Sequence, residues 1–412
     1  MRIAIVCNDT RGGVQPYVGL GLRRAGHEVR AIAPSGLAPM FAEVGLPVAP
    51  LSGPGEDQQR AATAVAERGT LAAMRMMLKE LPIRIRASAR ETLGAAEGSE
   101  LLTGGVGGMV TGLAVAERLG VPFVETHLQP LGAPTDAYPG VLLSGVPGWL
   151  GGVGRRLSHH LSESALWLPF RGAMAAARQE VLGRKGQPKP SSGPILYGFR
   201  RHVVPMPEAR KRPRHVTGYW TLPTPTDWSP PPSLEAFLAR GGPVVSVGFG
   251  SMASSDPSTT TAIVVGAARD AGVRAVLLSG WGGLDSEVTG DNIYCADALP
   301  HTWLFPKVSA IAHHGGAGTS GVALGSGVPS IVIPLGMDQF FWASRVAALG
   351  AGPPPIPRKR LTRERLAEAF RRAVGDGAIR ARAAEVGAKI RGEDGVGAAV
   401  EVFGKSGVAG AG

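Results

Sequence analysis

The stretch Ala310-Ile-Ala-His313-His314-Gly315-Gly316-Ala317-Gly318-Thr319-Ser320 decides the fold. Ala310 to His313 is a short apolar run of strand type, and the glycines after it break the strand before small residues that suit a helix start. A strand leaving through glycines into a helix is the repeating joint of a parallel α/β sheet. At such a joint the free N–H groups and the positive helix end face one point, which holds a phosphate without a metal. His314 adds a side-chain donor to the amides of Gly316, Ala317, Gly318 and Thr319. The same glycines also serve plain close packing of helix on strand. The pattern is neither a Walker motif, since no G-K-[ST] follows, nor G-x-G-x-x-G.

The joint recurs on either side of this stretch. Pro243 to Val247, Arg274 to Leu278, Ile293 to Cys295 and Ser330 to Pro334 are further strand runs. Thr259 to Ala271, Gln339 to Leu349 and Thr362 to Asp376 have helical spacing, with Thr362 placed to cap the last. Gly248-Phe-Gly-Ser251 is a second glycine-rich strand exit, and Ser251 adds a hydroxyl there. Gly336-Met-Asp338-Gln339 follows a strand, where an adjacent carboxylate and amide grip neighbouring sugar hydroxyls or where Asp338 simply caps a helix. Trp281, between glycines, either stacks on a base or fills core.

The first half opens in the same way. Ile3 to Cys7 reads as a buried strand rather than a signal peptide, followed by a turn at Gly12 and Gly13, a helix from Gln15 to Ala25 and a strand at Glu28 to Ala33. Leu101 to Val106 and Val121 to Thr126 are later strands flanking a helical Val110 to Leu119. Arg75 to Glu91 alternates apolar and basic residues as an amphipathic helix does, with Pro82 expected to break or restart it. Proline-rich Ser191 to Pro232 is expected to hold the interdomain linker. The expected architecture is thus two α/β domains: residues 1–205, a linker 206–232, a second domain 233–390, and a C-terminal helix and tail 391–412 that frays from Gly404.

Composition narrows the function classes. With 412 residues, 44% hydrophobic and 18% charged, the chain can bury two cores, and its 60 glycines and 34 prolines lack a collagen period. The net charge of +11 suits an anionic partner, but aromatics are only 6% and none interleave with arginine, so no nucleic acid is expected. Two distant cysteines, Cys7 and Cys295, exclude a disulfide framework and fit a reducing cytoplasmic compartment. The apolar stretch Ala137 to Gly154 is broken by proline and glycine, and no transmembrane span is expected. Peripheral contact of the Arg75 to Arg90 helix with anionic lipid stays open.

Asp9, His127 and Asp136 are polar residues at strand ends or in loops on the ligand side of the first domain, each as well suited to a cap or turn as to a base. His159 and His160 lack a third partner at metal-ligand spacing.

The ordered set Val216-Thr-Gly-Tyr-Trp220, Gly248-Phe-Gly-Ser-Met252, Ser279-Gly-Trp-Gly-Gly-Leu284, Leu299-Pro-His-Thr-Trp-Leu-Phe-Pro306, His313-His-Gly-Gly-Ala-Gly-Thr319 and Asp338-Gln-Phe-Phe-Trp342 resembles GT-B glycosyltransferases of the sterol glucosyltransferase and antibiotic glycosyltransferase type. Thr10-Arg-Gly-Gly-Val-Gln-Pro16, Leu128-Gln-Pro130 and Thr135-Asp-Ala-Tyr-Pro139 resemble its N-terminal segments. The resemblance implies two Rossmann-like domains facing a cleft and an inverting, metal-independent transfer of sugar from a nucleotide-diphosphate donor to a lipophilic acceptor. It places Ser251, His314 and Gly316 to Thr319 on the diphosphate, Asp338 and Gln339 on the sugar, and Trp281, Ala298 and Leu299 at the nucleobase. Arg11, Gly12, Gly13 and Tyr138 fall in acceptor segments. No cofactor is implied beyond the donor substrate, with UDP-glucose the first choice and a dTDP-sugar the second, because Asp338 and Gln339 suit a glucose-like sugar with its hydroxyls free.

Two departures stand out. The family pattern Arg-Gly-Asp-Val-Gln-Pro carries an Asp that acts as base or in the base arrangement of several members, and here Gly13 stands in its place. Asp136 replaces the arginine usual in the acceptor loop of sterol-type members. A base relocated to Asp9, Asp136 or His127 is one expectation; an acceptor acidic enough to need little base, or a catalytically silent protein that binds a nucleotide sugar or supports a partner enzyme, are the others.

Overall fold

The computed structural model describes residues 1–8, 11–18, 26–52, 70–208, 212–250, 256–280, 284–285 and 290–408. The chain forms two compact units, Met1–Thr221 with Asp394–Gly412, and Leu222–Glu393. Each is built on a parallel sheet.

In the first unit the strands are β1 (Arg2–Val6), β2 (Glu28–Pro34), β3 (Val48–Leu51), β4 (Leu101–Gly104), β5 (Phe123–His127), β6 (Ile195–Tyr197) and β7 (Arg214–Val216), in the order β3-β2-β1-β4-β5-β6-β7. Nearly every residue of β1, β4 and β5 is buried, as expected for a parallel sheet covered on both faces. The covering helices include Thr70–Ala96, Val106–Leu119 and Arg171–Leu182, whose apolar faces meet in one core with Ile85, Ala89, Leu113 and Ala177.

Three expectations change here. The first helix spans Arg11–Val18, so its start precedes Gln15, and the glycines expected to turn are helical; residues 19–25 lie outside the described residues. Pro82 sits inside a continuous helix, Thr70–Ala96. Packing outweighs the lost backbone bond: Ile85 and Ala89 are core residues, and Arg86 and Arg90 pair with Glu180 at 3.4 and 2.5 Å. The Pro-rich stretch from Ser191 holds two three-residue strands, β6 and β7, before the division at Thr221 and Leu222.

In the second unit β8 (Val244–Gly248), β9 (Arg274–Leu278), β10 (Ile293–Ala296), β11 (Ala310–His313) and β12 (Ser330–Val332) take the order β10-β9-β8-β11-β12. Helix Pro257–Asp270 starts at Asp256, whose side chain accepts from the Thr259 N–H at 2.9 Å, and Arg363–Gly375 starts at Thr362, which accepts from the Arg365 N–H at 3.3 Å. Both helices lie against one face of the sheet through Val264, Ala267, Leu366 and Phe370. The last helix, Gly395–Val408, belongs to the first unit and stays helical past Gly404, where fraying was expected.

Candidate functional site

Strand order fixes where ligands can enter. In the second unit the chain runs outward from β8 through β9 to β10, then returns to the other side with β11 and β12, so the order reverses between β8 and β11. Loops leaving the carboxyl ends of such neighbours part and open a crevice. His313 is in register with Gly248, and the exits are therefore Phe249-Gly250 and His314-Gly315-Gly316.

Gly315 has φ +91° and carries the chain over β12: a Cβ there would lie 2.7 Å from Val332 Cγ1 and 3.1 Å from the Gln339 carbonyl oxygen. The Gly315 N–H donates to His313 Nδ1 at 3.1 Å, which sets that imidazole as acceptor at Nδ1. His313 is buried, and burial, with the neighbouring His314 and His301, holds its pKa down to about 3. It is neutral and structural.

His314 turns into the crevice. A Cβ on Gly250 would lie 2.9 Å from its Cε1, and one on Gly316 would lie 2.5 Å from its Nε2, so glycine on both sides leaves room for the ring. Burial lowers its pKa to about 4, and its Nδ1 has no hydrogen-bond partner among the described residues. Gly316 is the N-cap of helix Ala317–Ser326 and offers no side chain to cap it; the first helical bond runs from the Ser320 N–H to the Gly316 carbonyl at 2.8 Å. The amides of Ala317, Gly318 and Thr319 thus precede the bonded ladder beside a neutral, half-buried imidazole. The structure brings together the residues expected at a phosphate: His314, Gly316, Ala317, Gly318 and Thr319. Ser251 and Trp281 lie outside the described residues.

Beyond β12 the chain turns at Met337, which has φ +53° and is the one non-glycine residue with positive φ among the described residues. Asp338 follows at the N-cap position of Gln339–Ala348, but its side chain makes no capping bond; Oδ2 accepts from the Trp342 indole N–H at 3.2 Å. Gln339 is buried, and its Oε1 accepts from the N–H groups of Leu335 at 2.7 Å and Gly336 at 3.3 Å. That pair fixes which end of the amide is the acceptor and turns its NH₂ away from the turn. Leu299 is buried in the core around Phe305 and Val308, while Ala298 is exposed, so their contact surface for a base is backbone and one methyl.

In the first unit the order reverses between β1 and β4. Asp9 follows β1 and lies outside the described residues, and so does the side chain of Arg11. Gly12 is exposed and Gly13 half-buried in the first helix. His127 ends β5 and is 3% exposed; its Nε2 donates to Glu125 Oε2 at 3.2 Å, and Arg212 Nη1 donates to Glu125 Oε1 at 2.7 Å. Burial would raise the Glu125 pKa, but the hydrogen bond and charge from His127 and the charge of Arg212 outweigh it and hold it down. Asp136 lies exposed in the loop after β5, with Oδ2 accepting from Arg156 Nη2 at 3.2 Å and its carbonyl from Arg155 Nη1 at 2.9 Å. Tyr138 is buried with its ring edge-on to His159 at 5.4 Å. His159 donates from Nε2 to the Tyr138 carbonyl at 3.0 Å, which gives the first of the His159-His160 pair a structural task. The Glu125–Arg212 pair was not foreseen: an acidic residue inside an apolar strand was its only trace in the sequence.

Residues 276–394 match the family described as erythromycin biosynthesis protein CIII-like, C-terminal domain. The sterol 3-beta-glucosyltransferase of Aspergillus terreus is 33% identical over 430 residues, covering 98% of this chain and 30% of that protein; that of Emericella nidulans is also 33% identical with the same coverage. The chain therefore spans about 30% of the length of these relatives. Among solved structures, the glycosyltransferase SnogD from Streptomyces nogalater superposes with a TM-score of 0.66 at 23% identity, covering 98% of this chain and 99% of that one. The Streptomyces sp. SF2575 glycosyltransferase SsfS6, complexed with thymidine diphosphate, gives 0.66 at 19% identity over 98% and 99%.

Proposed function

We propose that this chain, GT-B in fold and carrying an erythromycin biosynthesis CIII-like C-terminal domain, is a glycosyltransferase that moves a glucose-like sugar from a nucleotide diphosphate to a hydroxyl of a lipophilic small molecule. The observation that carries it is the uncapped start of helix Ala317–Ser326 at the strand-order reversal, with the unpartnered Nδ1 of His314 beside it. A leaving diphosphate gains charge as the sugar departs, and fixed N–H donors stabilise that gain without reorganising. A neutral His314 donates one more hydrogen bond.

Asp338 and Gln339 take the sugar hydroxyls, and the rigid hold of Leu335 and Gly336 on Gln339 Oε1 preorganises the amide. The relatives are sterol 3-beta-glucosyltransferases, and glucosyl transfer keeps UDP-glucose as first choice. The thymidine diphosphate bound to SsfS6 keeps dTDP-sugars as the second. The transfer is inverting and needs no metal: the acceptor oxygen attacks the anomeric carbon, the sugar–phosphate bond breaks, the diphosphate leaves on the amides, and the hydroxyl proton passes to a base or to water.

His127 gives its Nε2–H to Glu125 and keeps Nδ1 without a hydrogen-bond partner among the described residues, as an imidazole oriented for base work does, whereas Asp136 is paired with Arg156; this leaves His127 or Asp9 as the base, an acidic acceptor, or the silent-binder reading. One experiment separates these. Purified protein is incubated with UDP- and dTDP-sugars and phenolic, macrolide and sterol acceptors in the presence of chelator, and products are read by mass spectrometry. A glycosylated product supports the enzyme; if Asp9→Ala, His127→Ala and Asp136→Ala all then retain full turnover, the relocated base is wrong. Donor binding with neither transfer nor hydrolysis supports the silent binder. No binding of any nucleotide sugar overturns the phosphate assignment.

A further inference from the structure

Helix Gly151–Trp167 of the first unit is turned inside out. Its inward face carries Ser158, His159 and Ser162, all buried, which serve the loop beneath: Ser158 Oγ accepts from the Gly140 N–H at 2.8 Å, Ser162 Oγ from the Leu142 N–H at 3.2 Å, and His159 bonds the Tyr138 carbonyl. Its outward face is apolar. Trp149, Val153, Leu157, Leu161 and Leu168 leave between 50% and 83% of their surface in water. At 1.5 Å per residue these positions form a stripe roughly 28 Å long on one side of the helix. Pro82, whose neighbour Ile83 is also exposed, lies against Gly172 just beyond Leu168 and extends the apolar surface onto the helix Thr70–Ala96. Folding does not require this pattern, because a surface helix gains nothing from leucine in water; exposed apolar surface of this extent marks a contact.

The charges say what kind. Between Val153 and Leu168 the outward positions are Val153, Arg156, Leu157, His160, Leu161, Ser164, Ala165 and Leu168, with no carboxylate. Glu163, on the flank, is taken by the Gly132 N–H. Arg171 is exposed at the far end, and Asp136, held by Arg156, offsets one positive charge only. A second copy of the chain meeting this face across a two-fold axis would set its cations against themselves. A bilayer surface with anionic headgroups accepts both parts: leucines and tryptophan enter the interface and arginines stay at the headgroups.

We propose that the outward face of helix Gly151–Trp167, with Trp149 and Leu168 at its ends, docks the first unit onto an anionic lipid surface. Unlike the amphipathic helix singled out in the sequence, this one carries its apolar side in water. The docking is independent of the glycosyltransferase reading, and no membrane-crossing is involved: among the described residues no helix is long and apolar enough to span.

The test is co-sedimentation of the full chain with vesicles of phosphatidylcholine alone and of phosphatidylcholine mixed with phosphatidylglycerol, free of sugar donor and acceptor. Binding is expected to the mixed vesicles, several-fold weaker to the neutral ones, and reduced by about tenfold or more in the Leu157→Gln, Leu161→Gln double variant. Both leucines are exposed, so the variant's denaturant midpoint should match that of the parent and a folding defect is separable. Absence of binding to mixed vesicles, or equal binding by the variant, overturns the proposal. A concentration-dependent dimer that the double variant dissociates, seen in sedimentation velocity without lipid, overturns it as well and makes the stripe a self-association face.

Discussion

Exchanging one of two adjacent glycines for alanine should separate donor binding from folding. At Gly316 the backbone has φ −61° and ψ 148°, which alanine adopts freely. The new methyl would lie 2.5 Å from His314 Nε2, the far end of a side chain that can rotate away. Gly316→Ala should therefore cost less than about 1 kcal/mol of stability, mostly from the poorer N-cap. It should push the imidazole out of its slot, losing a hydrogen bond to a charged diphosphate of about 1.5–3 kcal/mol. That is about a tenfold to hundredfold rise in the Kd for UDP or dTDP, read by calorimetry. At Gly315 the opposite holds: alanine meets both φ +91° and Val332 Cγ1 at 2.7 Å, neither avoidable. Gly315→Ala should lower stability by about 2–3 kcal/mol, read as a denaturant midpoint. If Gly316→Ala left nucleotide affinity within about twofold of the parent, His314 would not touch the donor. If Gly315→Ala were as stable as the parent, the backbone reasoning itself would fail.

His313 and His314 are held neutral, with pKa values of about 3 and about 4 against 6.5 when unfolded, so the unfolded chain binds more protons as pH drops through 6.5. Their contribution is whole above pH 6.5 and should fade toward pH 4, by about 1 kcal/mol per pH unit for each histidine, as urea midpoints across that range would record. Asp338→Asn keeps the contact to Trp342 but loses the carboxylate, so UDP affinity should stay and the KM for the sugar nucleotide should rise about tenfold; an equal loss for both ligands would place Asp338 elsewhere. Arg178 holds Glu117 through bonds of 2.8 and 3.0 Å, lowering its pKa to about 2, and both are largely shielded from water. Arg178→Met leaves that carboxylate with only the Lys189 N–H and should lower the denaturant midpoint at neutral pH, with the deficit closing as pH falls through the lowered pKa.

The second unit was the more legible half, for a physical reason. Arg274 to Leu278 and Ala310 to His313 are apolar runs bounded by glycine or polar residues, and their limits match those observed. A capping threonine announces its helix because the bond is local, as at Thr362. What escaped depends on contacts far along the chain. Pro82 stays helical because the turns after it are buried and pair with Glu180, more than ninety residues away, and β7 is a strand only because β6 lies beside it. At the site, glycines and His314 could be read because the requirement is backbone geometry. The engagement of His127 by Glu125 could not, since the carboxylate is shared between His127 and Arg212, and Arg212 arrives from another segment. The inverted polarity of helix Gly151–Trp167 is illegible in the sequence for the same reason: its serines look outward until the loop they hold is seen.

The return of the segment from Asp394 to the first unit has a consequence for synthesis. Helix Gly395–Val408 leaves the ribosome after every residue of the second unit, so the unit begun first is completed last. Gly395 then closes against Gly218 and Tyr219, where a Cβ would lie within 2.8 Å of the Gly218 backbone. During that interval the nascent first unit lacks one of its helices while the second already has its whole sequence, and a chain halted before Asp394 carries a complete second unit attached to an unfinished first one.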